Sequence, residues 1–209
     1  MTIARDKPLV LVVDDSVDVR EGLKALFDSV GLECKVFDSP KDFLECPPES
    51  GPTCLILDVR LPEMSGLDVQ SELERRSRRV PTIVITGYGD IPMSVRAMKA
   101  GAVSFFTKPV REQDLLEAVY AGIQKDRDRL AKETKVRDLR ERYNHLTDRE
   151  REILPLITIG LLNKQIAAQV GLSEVTVKVH RRKLMTKMNA RSLPDLVRMA
   201  GELGDKHLS

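Results

Sequence analysis

A chain of 209 residues that is 42% hydrophobic can bury a core in each of one or two compact domains, which excludes a disordered polypeptide. The formal charge of +2 names no partner, but residues 1–110 carry 14 basic and 17 acidic side chains and residues 144–209 carry 11 and 7, so the ends differ as −3 against +4. One end is therefore expected to hold cations and the other to meet a polyanion. Three cysteines without CxxC spacing exclude a disulfide framework and a zinc site, and neither Met1–Lys7 nor any later stretch has the apolar run of a signal peptide or a membrane span; a cytoplasmic location with no membrane partner follows.

Five short apolar runs occupy the first half: Leu9–Val13, Glu33–Phe37, Cys54–Leu57, Thr82–Ile85 and Val103–Phe106. Most are β-branched or aromatic and have strand length. Segments of helical period separate them, such as Val19, Leu23, Leu26, Phe27 and Val30, or Met93, Val95 and Met98. Five alternations of strand and helix predict an α/β doubly wound, five-stranded parallel sheet covered on both faces. From Arg111 to Tyr143 the chain has no Pro and a single Gly at 122, which reads as one helix. Its apolar seam of Leu115, Val119, Ile123, Leu130, Leu139, Tyr143 and Leu146 is interrupted by charges, leaving a solvated helical linker and a weak dimeric coiled coil as open alternatives. Thr147-Asp148-Arg149-Glu150 then forms a capping-box pattern ahead of Ile153, Leu154, Leu156 and Ile157, and further helices are predicted at Asn163–Val170, Glu174–Met188 and Leu193–Leu203. Pro155 predicts a kink or a late start in the first of these. The last third is thus an all-α four-helix unit.

Polar groups recur where the strands end. Asp14 and Asp15 follow the first strand, Asp58 ends the third, Thr86 the fourth, and Lys108 the fifth, before Pro109. In a doubly wound sheet these ends are neighbours. Each acidic residue alone would pass for a loop residue or helix cap, as Ser16 does. Three carboxylates in one place are costly without a hard divalent cation among them, and an all-oxygen set of small size favours Mg²⁺.

Near the carboxyl end, Asn163–Val170, the turn Gly171-Leu172-Ser173 and a following helix have helix-turn-helix spacing. Residues 173–191 contain Lys178, Arg181, Arg182, Lys183, Lys187 and Arg191 against Glu174 alone. Val177, Leu184 and Met188 form a buried stripe, which leaves Lys178 and Arg182 on one exposed face with Val179 beside it. Lys178, Val179 and Arg182 are therefore the base-contact candidates, the valine toward a thymine methyl. Thr176, Lys183 and Lys187 are the phosphate-contact candidates. His180 reads as structural.

Two resemblances now emerge. Val12-Val13-Asp14-Asp15, Leu57-Asp58 through Ser65-Gly66, Ile85-Thr86-Gly87 and Lys108-Pro109 fall in the order and spacing of the receiver domain of two-component response regulators, over residues 6–124. The resemblance implies that Asp58 accepts a phosphoryl group, that Asp14, Asp15, Asp58 and the backbone carbonyl of Arg60 hold Mg²⁺, and that Lys108 and Thr86 contact the phosphoryl oxygens. It further implies that Phe105 turns with Thr86 as a switch. The isomer of the Lys108-Pro109 bond stays open. The segment from Asp90 to Gly101 resembles the nitrogen-fixation regulator subfamily and its relatives that control degradation of aromatic compounds. From Leu146 to about Ala200 the chain resembles the LuxR-type output domain, through Leu146–Glu150, Asn163–Ala167 and Ser173–His180.

Together the resemblances imply a non-enzymatic transcription factor, most simply an activator. A receiver (6–124), a helical linker (125–143) and a DNA-binding domain (144–209) would be joined in one chain. The implied partners are a sensor histidine kinase, double-stranded promoter DNA, RNA polymerase and a second copy of the chain on phosphorylation. A receiver serving only as a scaffold and an aspartyl-phosphate phosphatase are the rival readings. Phosphatases of this topology usually need an acid two residues beyond the nucleophile, where this chain has Arg60.

Overall fold

A computed structural model describes residues 7–204; position 6, residues 205–209 and most of the amino-terminal stretch read above lie outside it. The chain divides into two compact units at Leu130/Ala131. No helix among the described residues is long and apolar enough to cross a membrane.

In the first unit five strands, β1 (Leu9–Val13), β2 (Glu33–Phe37), β3 (Thr53–Asp58), β4 (Thr82–Thr86) and β5 (Ser104–Thr107), form one sheet in the order β2-β1-β3-β4-β5. All four pairings are parallel. The strands were read to within one residue at either end. Between them run α1 (Val17–Ser29), α2 (Pro40–Glu45), α3 (Gly66–Arg75) and α4 (Ile91–Lys99). Ser16, Ser39, Ser65 and Asp90 cap these four with side-chain oxygens.

Strand alternation divides the core into two layers. Val10, Val12, Cys54, Ile56, Ile83, Ile85 and Phe106 pack with Phe27 of α1 and with Leu115, Val119 and Ile123. On the other face Leu9, Leu11, Val13, Leu55 and Leu57 meet Phe43 of α2 and Val69 and Leu73 of α3. Val84 and Phe105 on that face meet Leu67 of α3 and Ala97 of α4. Phe105 and Phe106 thus point to opposite faces, as their adjacency in a strand requires.

The long helix α5 runs Glu112–Asn144, and the division of the chain falls inside it. Its apolar seam is divided between two interiors. Leu115, Val119 and Ile123 belong to the first core, while Leu139, Tyr143 and Leu146 belong to the core of the second unit. Residues 131–135 between them are exposed. Asp126, inside the stretch read as linker, is fully buried. It accepts hydrogen bonds from Thr53 N (2.9 Å) and Thr53 Oγ1 (3.2 Å) and pairs with Arg129 Nη2 at 2.7 Å. The start of the central strand is thereby tied to α5 by a carboxylate whose charge is matched inside its own helix. Nearby, a Cβ on Gly122 would lie 2.6 Å from Cys54 Sγ, so only glycine lets α5 approach the sheet this closely. Cys54 is buried and Cys34 and Cys46 are partly buried, all as free thiols.

The second unit contains α6 (Asp148–Thr158), α7 (Asn163–Val170), α8 (Glu174–Met188) and α9 (Leu193–Leu203). Both halves of the predicted capping box at Thr147 and Glu150 form. The late start expected from Pro155 does not occur, because the box fixes the first turn upstream and the helix continues three residues past the proline. Leu162 at the head of α7 has no side-chain oxygen to offer, and Gln165 Oε1 instead accepts from Leu162 N at 2.8 Å. The turn into α8 relies on Gly171 at φ 67°, a left-handed position that costs a glycine nothing.

Candidate functional site

The carboxyl ends of β1, β3, β4 and β5 do converge. Oxygens of Asp14, Asp15 and Asp58 lie within 4.8 Å of one another. Asp14 is fully buried, Asp58 nearly so, and Asp15 is exposed at the mouth. Lys108 Nζ stands 2.6 Å from Asp14 Oδ2 and 3.6 Å from Asp58 Oδ2, a single ammonium facing two carboxylates from two strands. Each is held by the backbone around it. Val59 N donates to Asp58 Oδ1 at 2.9 Å, Ser16 N donates to Asp14 Oδ1 at 3.0 Å, and Arg20 reaches back to the Asp14 carbonyl at 2.7 Å. Lys108 N donates to Thr86 O at 2.8 Å, and the Lys108-Pro109 bond, left open by the sequence, is cis.

Burial pushes the Asp58 carboxyl above the ordinary carboxylate range; Lys108 pulls against this and Asp14 adds to it. One lysine therefore leaves the cluster short of positive charge, a deficit that a divalent cation corrects. An all-oxygen donor set of three carboxylates, two of them buried, fits the hard, small ion that composition and spacing predicted. Arg60 follows two residues after Asp58, and its guanidinium lies over the Tyr88 ring, 4.2 Å from the centroid, so the side chain is occupied outside the pocket.

Thr86 is fully buried and accepts a hydrogen bond from Tyr88 N at 3.3 Å. Phe105 sits one strand over, behind the loop from Gly87 to Asp90. A Cβ on Gly89 would meet the Phe105 ring at 3.0 Å and Thr107 at 2.7 Å, so the loop lies directly on that ring. Gly66 has the same relation to Asp58. A Cβ there would collide with the Asp58 carbonyl oxygen and stand 3.1 Å from Val59 Cα. Neither contact was legible from spacing, although both glycines lie within or beside the motifs. Beyond the loop, Ile91, Val95 and Met98 of α4 are exposed at i, i+4 and i+7.

In the second unit Val177, Leu184 and Met188 are buried as predicted, and Lys178, Val179, Arg182 and Lys183 are exposed on α8. Thr176 is half-buried and its hydroxyl is 2.8 Å from Ser173 Oγ at the helix start. Val175, 74% exposed and four residues before Val179, extends the same face and was missed; the i, i+4 relation to Val179 is the signal that identifies it. Arg181 turns inward to Asn163 Oδ1 at 3.1 Å and fastens α8 to α7. His180 Nδ1 is buried without a partner among the described residues.

Lys187 is engaged within its own domain, 2.7 Å from Oε2 of buried Glu150. Burial pushes the Glu150 carboxyl up, but hydrogen bonds from Lys187 and Thr147 more than offset it, and it titrates below the usual glutamate range. A carboxyl depressed in this way adds stability above its unfolded pKa of about 4.3, and that stability is lost as the pH falls through the folded value. Glu150→Gln is expected to destabilise the second unit by about 1.5–3 kcal/mol at pH 7, the worth of a hydrogen bond to a charged group, and by far less near pH 3. Hydrogen exchange of the α6 and α8 amides measures both, and an equal loss at the two pH values would refute the ion-pair account.

A parallel sheet presenting a buried carboxylate to a lysine and a cation-binding acidic cluster, on one chain with a helix-turn-helix unit, defines the class: a phosphorylation-driven switch with a DNA-binding output. Comparison with known proteins agrees over nearly the whole length. The response regulator receiver domain profile matches residues 10–120, and that of the bacterial regulatory proteins of the luxR family matches residues 144–200. The chain is 49% identical to nodulation protein W of Bradyrhizobium diazoefficiens over 97% of this chain and 89% of that protein. It is 46% identical to response regulator protein TodT of Pseudomonas putida over 94% of this chain and 87% of that one. Among solved structures, response regulator StyR is 47% identical with a TM-score of 0.85, covering 94% of this chain and 99% of that one. Full-length FixJ from B. japonicum is 33% identical with a TM-score of 0.56, covering 96% and 98%.

The chain belongs to the two-component response regulators that pair a receiver domain with a LuxR-type output domain. Family membership makes it a signalling and DNA-binding protein rather than an enzyme, served by a sensor kinase and dimerising on phosphorylation.

Proposed function

We propose that Asp58 is the phosphoacceptor. A carboxylate oxygen of Asp58 attacks the phosphorus of a phosphohistidine on the sensor kinase, the P–N bond breaks, and the imidazole leaves with the electron pair and takes up a proton. Val59 N–H fixes one carboxylate oxygen, and the Lys108 ammonium faces the other, ready to offset the charge of the incoming phosphoryl group. Mg²⁺, held by Asp14, Asp15, Asp58 and the backbone carbonyl of Arg60, supplies the remaining positive charge when bound.

Thr86 would exchange its contact with the Tyr88 backbone for a phosphoryl oxygen, drawing the loop from Gly87 to Asp90 with it. Because Gly89 lies on the Phe105 ring, that loop and Phe105 must move together, which is the physical basis for treating Thr86 and Phe105 as one switch. Phosphorylation then biases the segment leading into α4, whose exposed Ile91, Val95 and Met98 form the dimer surface. The functional divisions we adopt are a receiver over 6–124, a helical linker over 125–143 and an output domain over 144–209. In the output domain Lys178, Val179 and Arg182 read base edges. Thr176 and Lys183 contact phosphates, with Lys187 a lesser contributor because Glu150 holds it. Promoter-bound dimers act on transcription through RNA polymerase.

The observation that carries this reading is the single lysine shared between two buried carboxylates at 2.6 and 3.6 Å. Labelling the whole chain with acetyl phosphate, with Mg²⁺ and with a chelator, tests it. Stable label and a shift from monomer to dimer are expected only when Mg²⁺ is present. Label that ignores the metal, or labelled protein that stays monomeric, would overturn it.

A further inference from the structure

Val175 stands against the local preferences of its position. It is the second residue of α8, just behind the Ser173 cap, where the helix dipole favours an acidic side chain. Valine is also stiff at χ1 and a poorer helix former than alanine or glutamate. Packing does not compensate, since Val175 is 74% exposed and takes no part in the apolar core of the second unit. Val179, 49% exposed, repeats the pattern one turn later. With Lys178 and Arg182 the two valines make a strip at i, i+3, i+4 and i+7, all four residues exposed. At about 100° per residue, that strip lies opposite the buried Val177, Leu184 and Met188. Neither valine is an overflow of the core stripe.

Two aliphatic side chains interleaved with two cations suit a surface that is apolar at points and anionic around them. The major groove of DNA has this character, because the thymine 5-methyl is the aliphatic group on its floor and phosphates line its walls. A protein partner seated on the strip would instead have to bury Lys178, a residue type depleted from interface cores. The spacing agrees with the groove. Residues four apart on a helix are separated by about 6 Å along its axis, close to the roughly 6.8 Å of two base steps. We propose that Val175 is a specificity-determining residue that packs on a thymine methyl, two base steps from the thymine met by Val179. Each half-site then carries two thymines at that separation. This rests on α8 being the base-reading helix, and it adds to that helix a further reading residue and the identity of the base it reads.

The experiment is selection from a random duplex pool by the full chain treated with acetyl phosphate and Mg²⁺, followed by anisotropy titrations on the selected site. The selected half-sites should share two thymines two steps apart. Replacing each thymine in turn by deoxyuridine removes the methyl alone. Binding should weaken by about three- to fourfold at those two positions, the worth of one buried methyl, and stay unchanged at the others. Val175→Ala should lower affinity by about the same factor and abolish the deoxyuridine effect at one of the two positions, as Val179→Ala should at the other. Alanine is the better helix former at this exposed position, so the melting temperature of Val175→Ala should hold or rise and its loss of binding is not a loss of fold. Selected sites without the paired thymines, or a deoxyuridine effect undiminished at both positions in Val175→Ala, would overturn the proposal. If Val179→Ala still removes one effect and Arg182→Ala still changes the base preference, α8 reads bases and Val175 alone is misassigned. A selected pool with no shared base at all would overturn the reading role of α8 together with the proposal.

Discussion

Replacing Asp58 with Asn is expected to abolish phosphoryl uptake, on the order of 10³-fold or more, as the loss of a nucleophile does. The amide keeps the shape of the carboxylate and still offers an oxygen to Val59 N–H, so the strand end is undisturbed. What disappears is the charge. An amide oxygen cannot form the acyl phosphate, and one of the two anions facing Lys108 is gone. Burial and the neighbouring Asp14 both push the wild-type carboxyl toward its neutral form, so removing its charge relieves a repulsion inside the fold. The variant should therefore melt at the wild-type temperature or above it, which separates chemical loss from unfolding. Phosphate-induced dimerisation should vanish with the label, and a variant that still dimerised on phosphate would defeat the assignment. Gly66 makes the complementary point from the other side of the strand, since a methyl group there strikes the Asp58 backbone and displaces the same carboxylate without changing its chemistry.

The second large effect falls on the output domain. Arg182→Ala is expected to reduce affinity for a promoter site, once footprinting has located one, by about 10–100-fold, the roughly 1–3 kcal/mol of a base-reading contact, and to relax the base preference at one position of each half-site. Lys183→Ala should behave differently. It should weaken specific and nonspecific DNA alike and lower the salt dependence by about one counterion. Anisotropy titrations on specific and scrambled duplexes over a range of salt distinguish the two. If Arg182→Ala lost affinity for both duplexes equally, the arginine would be a backbone contact and the reading face would have to be redrawn around Lys178, Val175 and Val179.

Much of this architecture was legible because its determinants are local. Strand runs such as Leu9–Val13 announce themselves by composition, and α7, α8 and α9 appear with the ends predicted for them, α8 because Ser173 caps its first turn and Gly171 ends the helix before it. The acidic cluster was legible for a different reason: parallel topology brings strand ends together, so position in the sequence stands in for position in space. What escaped were relations across the fold that leave no periodic trace. Asp126 looked like one more charge on a solvated helix, yet it is fully buried on Thr53, and no spacing rule links two residues so far apart. Lys187 was read as a phosphate contact with no hint of its pairing, because its partner Glu150 sits two helices earlier in the chain. Gly89 and Gly66 were visible only as glycines. Their meaning depends on which backbone or ring stands opposite.

The bond from Asp126 to the first residue of the central strand bears on how the protein can be taken apart. A fragment cut where the receiver profile stops, at residue 120, would lack Ile123 and Asp126 as well. The innermost strand would open with an amide and a hydroxyl facing no acceptor, next to a thiol that α5 no longer covers. Excision after Leu130 keeps the plug in place, so a stand-alone input module should be trimmed there.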